Sequence, residues 1–297
     1  MITDILTPLD GTSAAEAGVE WSRRAAASLQ ATVRLLHIID EDEASPSQRE
    51  QAGIYLGRVR DSLTSDNVRA EIEVVAGRPA DAIIERANRV DLTVMTSGTV
   101  RWMVSAVLDQ VLQDVASPVV IVRAGAGNEN SAACSDTPQK ILVPIDSAEY
   151  SSDVLPIVRD LARGLDASIV LLHVIPPVGN YLTRDDAPPG IARVLDQLVA
   201  ESSALGRRSA WALKSGSVHL ETITEIGDPQ RTIIRTAEAT GASLIAMATR
   251  GRDRLDKRIS GSVANTVMES TSIPCLFVRT ADERVSQPAL DLVPTDR

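Results

Sequence analysis

The chain contains the same pattern of segments twice, in the same order. Residues 5–10 (Ile-Leu-Thr-Pro-Leu-Asp) reappear as residues 141–146 (Ile-Leu-Val-Pro-Ile-Asp), an offset of 136 (146 − 10). Three further pairs of segments match in order: 35–37 with 171–173, 77–79 with 227–229, and 118–123 with 274–279. Segments that recur in one order with slowly growing offsets indicate two copies of one domain with insertions in its loops.

Composition limits what each copy can bury and what it can bind. The length of 297 residues agrees with two domains. Aromatic residues make up only 2% of the chain, so the cores must consist of Val, Ile, Leu and Ala. Such cores are typical of sheets covered by helices on both faces. The net charge of −10 repels phosphate backbones, so neither nucleic acid nor an anionic membrane is an expected partner.

The location of the protein follows from what the sequence lacks. The amino terminus leads directly into a predicted strand, without the basic and apolar regions of a signal peptide. No apolar run approaches the length of about 18 residues that a membrane helix needs. Two cysteines, Cys134 and Cys275, form neither a ligand cluster nor a disulfide framework. We therefore expect a cytoplasmic protein.

Hydrophobic periodicity predicts the order βαβαβαβαβ in each copy. The predicted helices cover 14–29, 47–63, 79–87 and 102–115 in the first copy, and 154–165, 191–213, 230–240 and 263–269 in the second. Alternating strands and helices favour an α/β fold with two repeated Rossmann-like domains, each an open, mainly parallel five-stranded sheet with helices on both faces. We expect domains at 1–125 and 139–280, a linker at 126–138 and a disordered tail at 281–297.

Residues suited to phosphate binding follow the predicted strands of the second copy. Ligands of open α/β sheets bind at the carboxyl ends of the strands, where Asp146 and the segment after Met247 fall. Gly251 and, after nine intervening residues, Gly261-Ser262 bring flexible backbone to the start of a helix, whose free N–H groups attract anions. Two ordinary turn glycines explain this spacing equally well when it is taken alone. Asp146 can cap the following helix, contact a ligand, or do both.

The first copy lacks this loop. Met95 to Ser105 spans 10 positions, whereas Met247 to Gly261 spans 14. Ser105-Ala106 also replaces Gly261-Ser262, although the first copy keeps Asp10 at the position of Asp146. Losing two charge-assisted hydrogen bonds costs about 3–6 kcal/mol, or roughly 100- to 10,000-fold in affinity. The sequence therefore predicts one phosphate-binding loop per chain, in the C-terminal half.

Other reactive side chains fit structural roles better. His37 and His173 lie within predicted strands, where a core histidine is more common than a catalytic one. The three histidines of the chain supply no metal-ligand set, so we expect no metal site built from protein groups alone. Cys275 lies in an apolar strand pattern and is expected in the core.

These motifs resemble those of the universal stress protein family over about residues 1–125 and 138–280. The resemblance rests on the apolar-Pro-x-Asp opening, Leu-Leu-His, Gly-x-Pro before the third helix, and the glycine loop followed by Pro-x3-Val-Arg. It implies that the Asp after strand one contacts a nucleoside, backbone after strand two holds adenine, and the loop holds ribose and phosphates. Carried over by position, these roles fall on nine residues: Pro144, Asp146, Val174, Met247, Ala248, Gly251, Gly261, Ser262 and Val263.

The second copy departs from the family pattern once, because Ala248 stands at the first glycine of the loop. A methyl group is tolerated there unless the position requires positive φ. The resemblance also implies that the two copies pair through their last strands, and it leaves room for a further homodimer.

The leading interpretation is a tandem universal stress protein that binds ATP, alone or with Mg²⁺, in its C-terminal domain and has a regulatory role in the stress response. One alternative is an interaction or scaffold protein of the same fold that binds no nucleotide. Another is a slow ATPase, but the loop lacks the Gly-Lys-Ser/Thr of a P-loop, so efficient turnover is not expected.

Overall fold

The computed structural model describes residues 1–98, 106–124, 139–145, 154–177, 188, 190, 192–201, 204, 218–250 and 262–280. The expected linker at 126–138 and tail at 281–297 lie outside these residues.

The first copy comprises β1 (Asp4–Pro8), α1 (Glu16–Leu29), β2 (Thr32–Ile39), α2 (Pro46–Ser65), β3 (Arg69–Ala76), α3 (Pro79–Ala87), β4 (Leu92–Ser97), α4 (Ala106–Asp114) and β5 (Val119–Arg123). The second comprises β6 (Lys140–Ile145), α5 (Leu155–Gly164), β7 (Ser168–Ile175), α6 (192–201), β8 (Leu220–Ile226), α7 (Pro229–Thr240), β9 (Leu244–Arg250), α8 (Ser262–Ser270) and β10 (Cys275–Thr280).

Local sequence signals set several helix ends. The two Gly-x-Pro motifs place proline in the first turns of α3 and α7, where the missing N–H needs no partner. Asp228 caps α7 by accepting a hydrogen bond from the Arg231 N–H at 3.0 Å. The same helix ends at Gly241, whose φ of +68° suits glycine. These signals explain why α3 and α7 occupy equivalent places in the two copies.

All ten strands belong to one sheet in the order β3-β2-β1-β4-β5-β10-β9-β6-β7-β8. Within each copy all neighbouring strands are parallel, and the strand order is the same in both copies when each is numbered from its own first strand. The antiparallel pair β5–β10 joins the copies, with Cys275 opposite Ile121 and Phe277 opposite Val119. The fold is therefore α/β with two repeated domains, and they meet through their last strands.

Two apolar cores lie on opposite faces of the sheet. The first face is covered by α1, α2 and α5, and the second by α3, α4, α7 and α8. Successive strand residues alternate between the faces: Ile141 and Val143 belong to the first core, whereas Leu142 belongs to the second. Because both faces are covered, the central strands are almost continuously apolar, whereas the edge strands β3 and β8 carry glutamates. Among the described residues, no helix is long and apolar enough to cross a membrane.

Two arginines link the copies reciprocally. Arg123, the last residue of β5, donates to the carbonyl oxygens of Met268 at 3.2 Å and Glu269 at 2.6 Å, in the last turn of α8. Arg279 of β10 donates to the carbonyl oxygen of Gln113, in the last turn of α4, at 2.9 Å. The carboxyl end of a helix carries partial negative charge and unpaired carbonyls, which a guanidinium satisfies well. The Val-Arg that ends each repeat is thus a contact to the opposite copy.

Candidate functional site

The candidate site lies where the strand order of the second copy reverses, between β6 and β9. The strand β6 pairs with β7 over six residues, but it pairs with β9 only at Ile141↔Leu244 and Leu142↔Ile245. Beyond these pairs the hydrogen-bonded ladder between β6 and β9 ends, while both strands continue toward their carboxyl ends. A crevice of this kind at a switch point is where open α/β sheets bind ligands.

Pro144 explains why the ladder stops on one side only. The Lys140 carbonyl accepts from the Ser243 N–H beside β9, whereas the Gln139 carbonyl accepts from the Ser168 N–H beside β7, both at 2.8 Å. Backbone groups of successive strand residues face alternate sides, so the even-numbered Pro144 lies on the β9 side. Proline has no N–H and cannot extend a ladder there. Its part in the motif is therefore to keep β6 apart from β9.

The first copy repeats this arrangement. The Asp4 carbonyl accepts a hydrogen bond from the Asp91 N–H, beside β4, at 3.2 Å. The Thr3 carbonyl accepts one from the Thr32 N–H, beside β2, at 2.8 Å. Pro8 therefore also faces the fourth strand of its copy, and the β1–β4 pairing is likewise only two residues long. Both copies have the crevice, so the difference between them must lie in the loops around it.

Three predicted site residues lie on the same face of the sheet. Val174 near the end of β7, Met247 in β9 and Val263 in the first turn of α8 all belong to or pack against the second core. Met247 is buried, and Val174 and Val263 are half-buried, as is Pro144. Helix α8 runs antiparallel to the strands, so its first residue, Ser262, lies at the same edge of the sheet as the crevice. Asp146, Gly251 and Gly261 lie outside the described residues.

Ala248 lies on the opposite face from this group. It packs against the first core and pairs with Val278 of β10 in regular parallel register. Among the described residues, positive φ at non-glycine positions is confined to Gln30, Asn67 and Asp166. The position of the family's first glycine is thus an ordinary strand position here, and alanine fits it without backbone strain.

The aspartate of the first copy is held by its own turn. The Asp10 carboxylate accepts from the Thr12 N–H at 2.9 Å and from the Thr12 hydroxyl at 2.6 Å. The equivalent position in the second copy is Ala148, which has no hydroxyl. The second copy therefore has no hydroxyl at the position that holds the Asp10 carboxylate in the first copy. The sequence contains this difference between Thr12 and Ala148, but the motifs described above do not include these two positions.

The remaining candidates, two histidines and one cysteine, lie within strands. His37 and His173 are half-buried within β2 and β7. The described residues contain no group of three or more His, Cys, Asp or Glu that could hold a metal ion. Cys275 is 2% exposed and lies in the second core, as its apolar strand pattern predicts.

Cys275 should be unreactive in the folded protein. Burial raises the pKa of its thiol to about 12, against a smaller opposing effect of Arg123. At pH 8 only about one molecule in 10,000 then carries the thiolate that reacts. In a Cys134→Ser variant we expect no labelling by a thiol reagent under native conditions, and one labelled thiol in denaturant. Rapid native labelling would show that the β5–β10 pairing opens readily.

Comparison with known proteins agrees with the fold and the repeat. The profile of the universal stress protein family matches residues 1–123 and 138–279. Universal stress protein Rv2623 of Mycobacterium tuberculosis H37Rv is 22% identical over 295 residues, which cover 93% of this chain and 96% of that protein. A universal stress protein of Methanothermobacter thermautotrophicus is 27% identical over 142 residues, covering 48% of this chain but 96% of that protein.

A solved structure has the same architecture along most of the chain. The crystal structure of a universal stress protein from Archaeoglobus fulgidus aligns with a TM-score of 0.70 at 18% identity, covering 93% of this chain and 98% of that one. At this identity the likeness shows the fold alone. The two segments that match the family profile make up most of the sequence, so the chain belongs to the universal stress protein family.

Proposed function

We propose that the second copy binds one adenine nucleotide, ATP, in the crevice between β6 and β9, and that the protein uses it in a regulatory role in the stress response. The observation that carries the proposal is the early end of the β6–β9 ladder beside Pro144, at the edge where α8 begins. A helix start with free N–H groups beside such a crevice favours a phosphate.

On this proposal each part of the nucleotide has its own contacts. The carboxylate of Asp146 binds the nucleoside, and backbone near Val174 holds the adenine. The backbone amides of Gly251, Gly261 and Ser262 hold the ribose and phosphates, because glycine lets the main chain approach an anion closely. Met247 and Val263 form the apolar floor beneath them, together with Pro144. If ATP binds as its Mg²⁺ complex, the phosphates coordinate the ion.

Two features support a single site per chain. The loop after β4 is four residues shorter than the loop after β9, and Ser105 replaces the second glycine. The carboxylate of Asp10 is also occupied by Thr12. Binding rather than turnover is favoured, because the sequence lacks the Gly-Lys-Ser/Thr of a P-loop.

Calorimetric titration with ATP, ADP and AMP tests the proposal. We expect one site per chain, with affinity that depends on the number of phosphates because the loop amides contact them. Two equivalent sites would contradict the assignment of the first copy as degenerate. Absence of binding by all three nucleotides would favour the interaction protein, and rapid release of phosphate from ATP would favour the ATPase.

The hydroxyl that distinguishes the two turns gives a sharper prediction. Ala148→Thr places at Asp146 the group that holds Asp10 in the first copy. One competing hydrogen bond to the carboxylate, of about 1.5–3 kcal/mol, should weaken ATP binding roughly 10- to 100-fold. Thr12→Ala is the matched control and should leave ATP binding unchanged. Equal effects of the two variants would mean that the turns do not differ in function.

A further inference from the structure

A second cavity lies in the first copy, between α1 and α2 and next to the turn after β1. Its volume is about 570 Å³, and it is lined by residues of that turn and of both helices. Cavities of roughly 300–1,000 Å³ with a few polar groups are typical small-molecule sites. Its helices cover the first face of the sheet, whereas Val174, Met247 and Val263 lie on the second. The cavity is therefore separate from the proposed nucleotide site.

In this region two aromatic side chains have buried polar atoms without hydrogen-bond partners among the described residues. They are the hydroxyl oxygen of Tyr55, which lines the cavity, and Nδ1 of His37. The two rings touch edge to face with their centroids 6.2 Å apart. Native proteins seldom bury polar atoms without partners, because the lost hydration is not recovered. Two such atoms in neighbouring rings indicate that a polar molecule completes this region.

The walls of the cavity carry one acidic and one basic group that are not neutralised. Glu20 and Arg23 pair with each other, Oε2 to Nε, at 3.1 Å. Glu16 on α1 and Arg58 on α2 are exposed and form no ion pair with any described residue. A free carboxylate and a free guanidinium thus face the cavity from its two helices.

The electrostatic environment of Tyr55 agrees with an acidic group on α1 and a basic group on α2. Burial, and then the negative charges of Glu16 and Asp10, raise the pKa of Tyr55, whereas Arg58 lowers it. The cavity therefore has a negative end near α1 and a positive contribution from α2. Between them lie the apolar side chains of Val19 and Val59.

We propose that this cavity binds a small zwitterion of the aliphatic α-amino acid class. Its ammonium group would pair with Glu16, and its carboxylate would pair with Arg58, since carboxylates match the guanidinium fork. The Tyr55 hydroxyl would supply a hydrogen bond between them. The aliphatic side chain would pack on Val19 and Val59, which offer no polar partner.

Titration of the full chain with alanine, valine, leucine and isoleucine tests this assignment by calorimetry and by the rise in melting temperature. Leucinamide and N-acetyl-leucine are matched probes, because each lacks one of the two charges. We expect at least one amino acid to bind and both derivatives of leucine to bind at least roughly 10-fold more weakly than leucine. No binding at millimolar concentrations, or equal binding of the derivatives, would overturn the proposal.

Variants locate the site. Arg58→Gln and Tyr55→Phe should each weaken binding roughly 10- to 100-fold, because each removes a hydrogen bond to a charged group of the amino acid. Arg60→Gln, on the same helix but outside the cavity, should leave binding unchanged. ATP affinity should stay the same in all three variants. A fall in ATP affinity with Arg58→Gln would show that the nucleotide, not an amino acid, uses this cavity.

Discussion

Gly261→Val should reduce ATP binding by at least about 100-fold while leaving the fold intact. The substitution puts a β-branched side chain where the main chain must approach a phosphate, at the residue before α8 begins. Loss of two charge-assisted hydrogen bonds costs about 3–6 kcal/mol, which sets the size of the effect. Calorimetry gives the affinity, and thermal unfolding checks that the protein is folded.

Ser105→Val is the matched control for this variant. Ser105 occupies the equivalent position in the first copy, where the shortened loop is not expected to bind phosphate. ATP binding should therefore be the same as in the unaltered chain. If Gly261→Val binds ATP normally, the phosphates lie elsewhere. If Ser105→Val lowers the number of sites, the first copy binds nucleotide as well.

Loss of the two reciprocal arginines should weaken the contact between the copies. Arg123→Ala and Arg279→Ala each remove hydrogen bonds to carbonyls at the carboxyl end of a helix in the opposite copy. Hydrogen bonds that involve a charged group contribute about 1.5–3 kcal/mol, so we expect each variant to lower the free energy of unfolding by about that amount. The double variant should lose about 3–6 kcal/mol if the two contacts are independent. Denaturant unfolding measures these values.

Native labelling of Cys275 reports the same contact more locally. Cys275 lies opposite Ile121 in the only strand pair that joins the copies among the described residues, so opening of β5 from β10 exposes its thiol. The labelling rate should rise in either arginine variant. Arg60→Ala, which removes an exposed pair with the adjacent Asp61, should change neither stability nor labelling measurably. Unchanged unfolding in the double variant would show that strand pairing alone holds the copies together.

The internal repeat and hydrophobic periodicity predicted most of the fold. The βαβ order, the parallel sheets and the apolar cores follow from short Val-, Ile- and Leu-rich strands between helices, and the structure confirms them. Helix α2 begins at Pro46 rather than at 47, because Ser45 and Gln48 form a capping box that periodicity does not detect. The domain boundaries stay predictions, since residues 125–138 lie outside the described chain.

The candidate site was only partly predictable, because its features depend on which side of a strand a residue faces. The motif marked Pro144, but its role at the switch point needed the hydrogen-bond directions of β6. Ala248 was the one departure of the second copy from the family pattern, and its regular strand position shows that positive φ is not required there. The cavity between α1 and α2 has no sequence signal, since Glu16 lies on one helix, and Tyr55 and Arg58 lie on another that is distant in sequence.

A crystal structure of the full chain soaked with ATP tests the central claim most directly. We predict density for one adenylate between the carboxyl ends of β6 and β9, with its phosphates at the start of α8 and none between β1 and β4. An equally occupied nucleotide in the first copy, or a crevice beside Pro144 that stays closed at saturating ATP, would contradict the account.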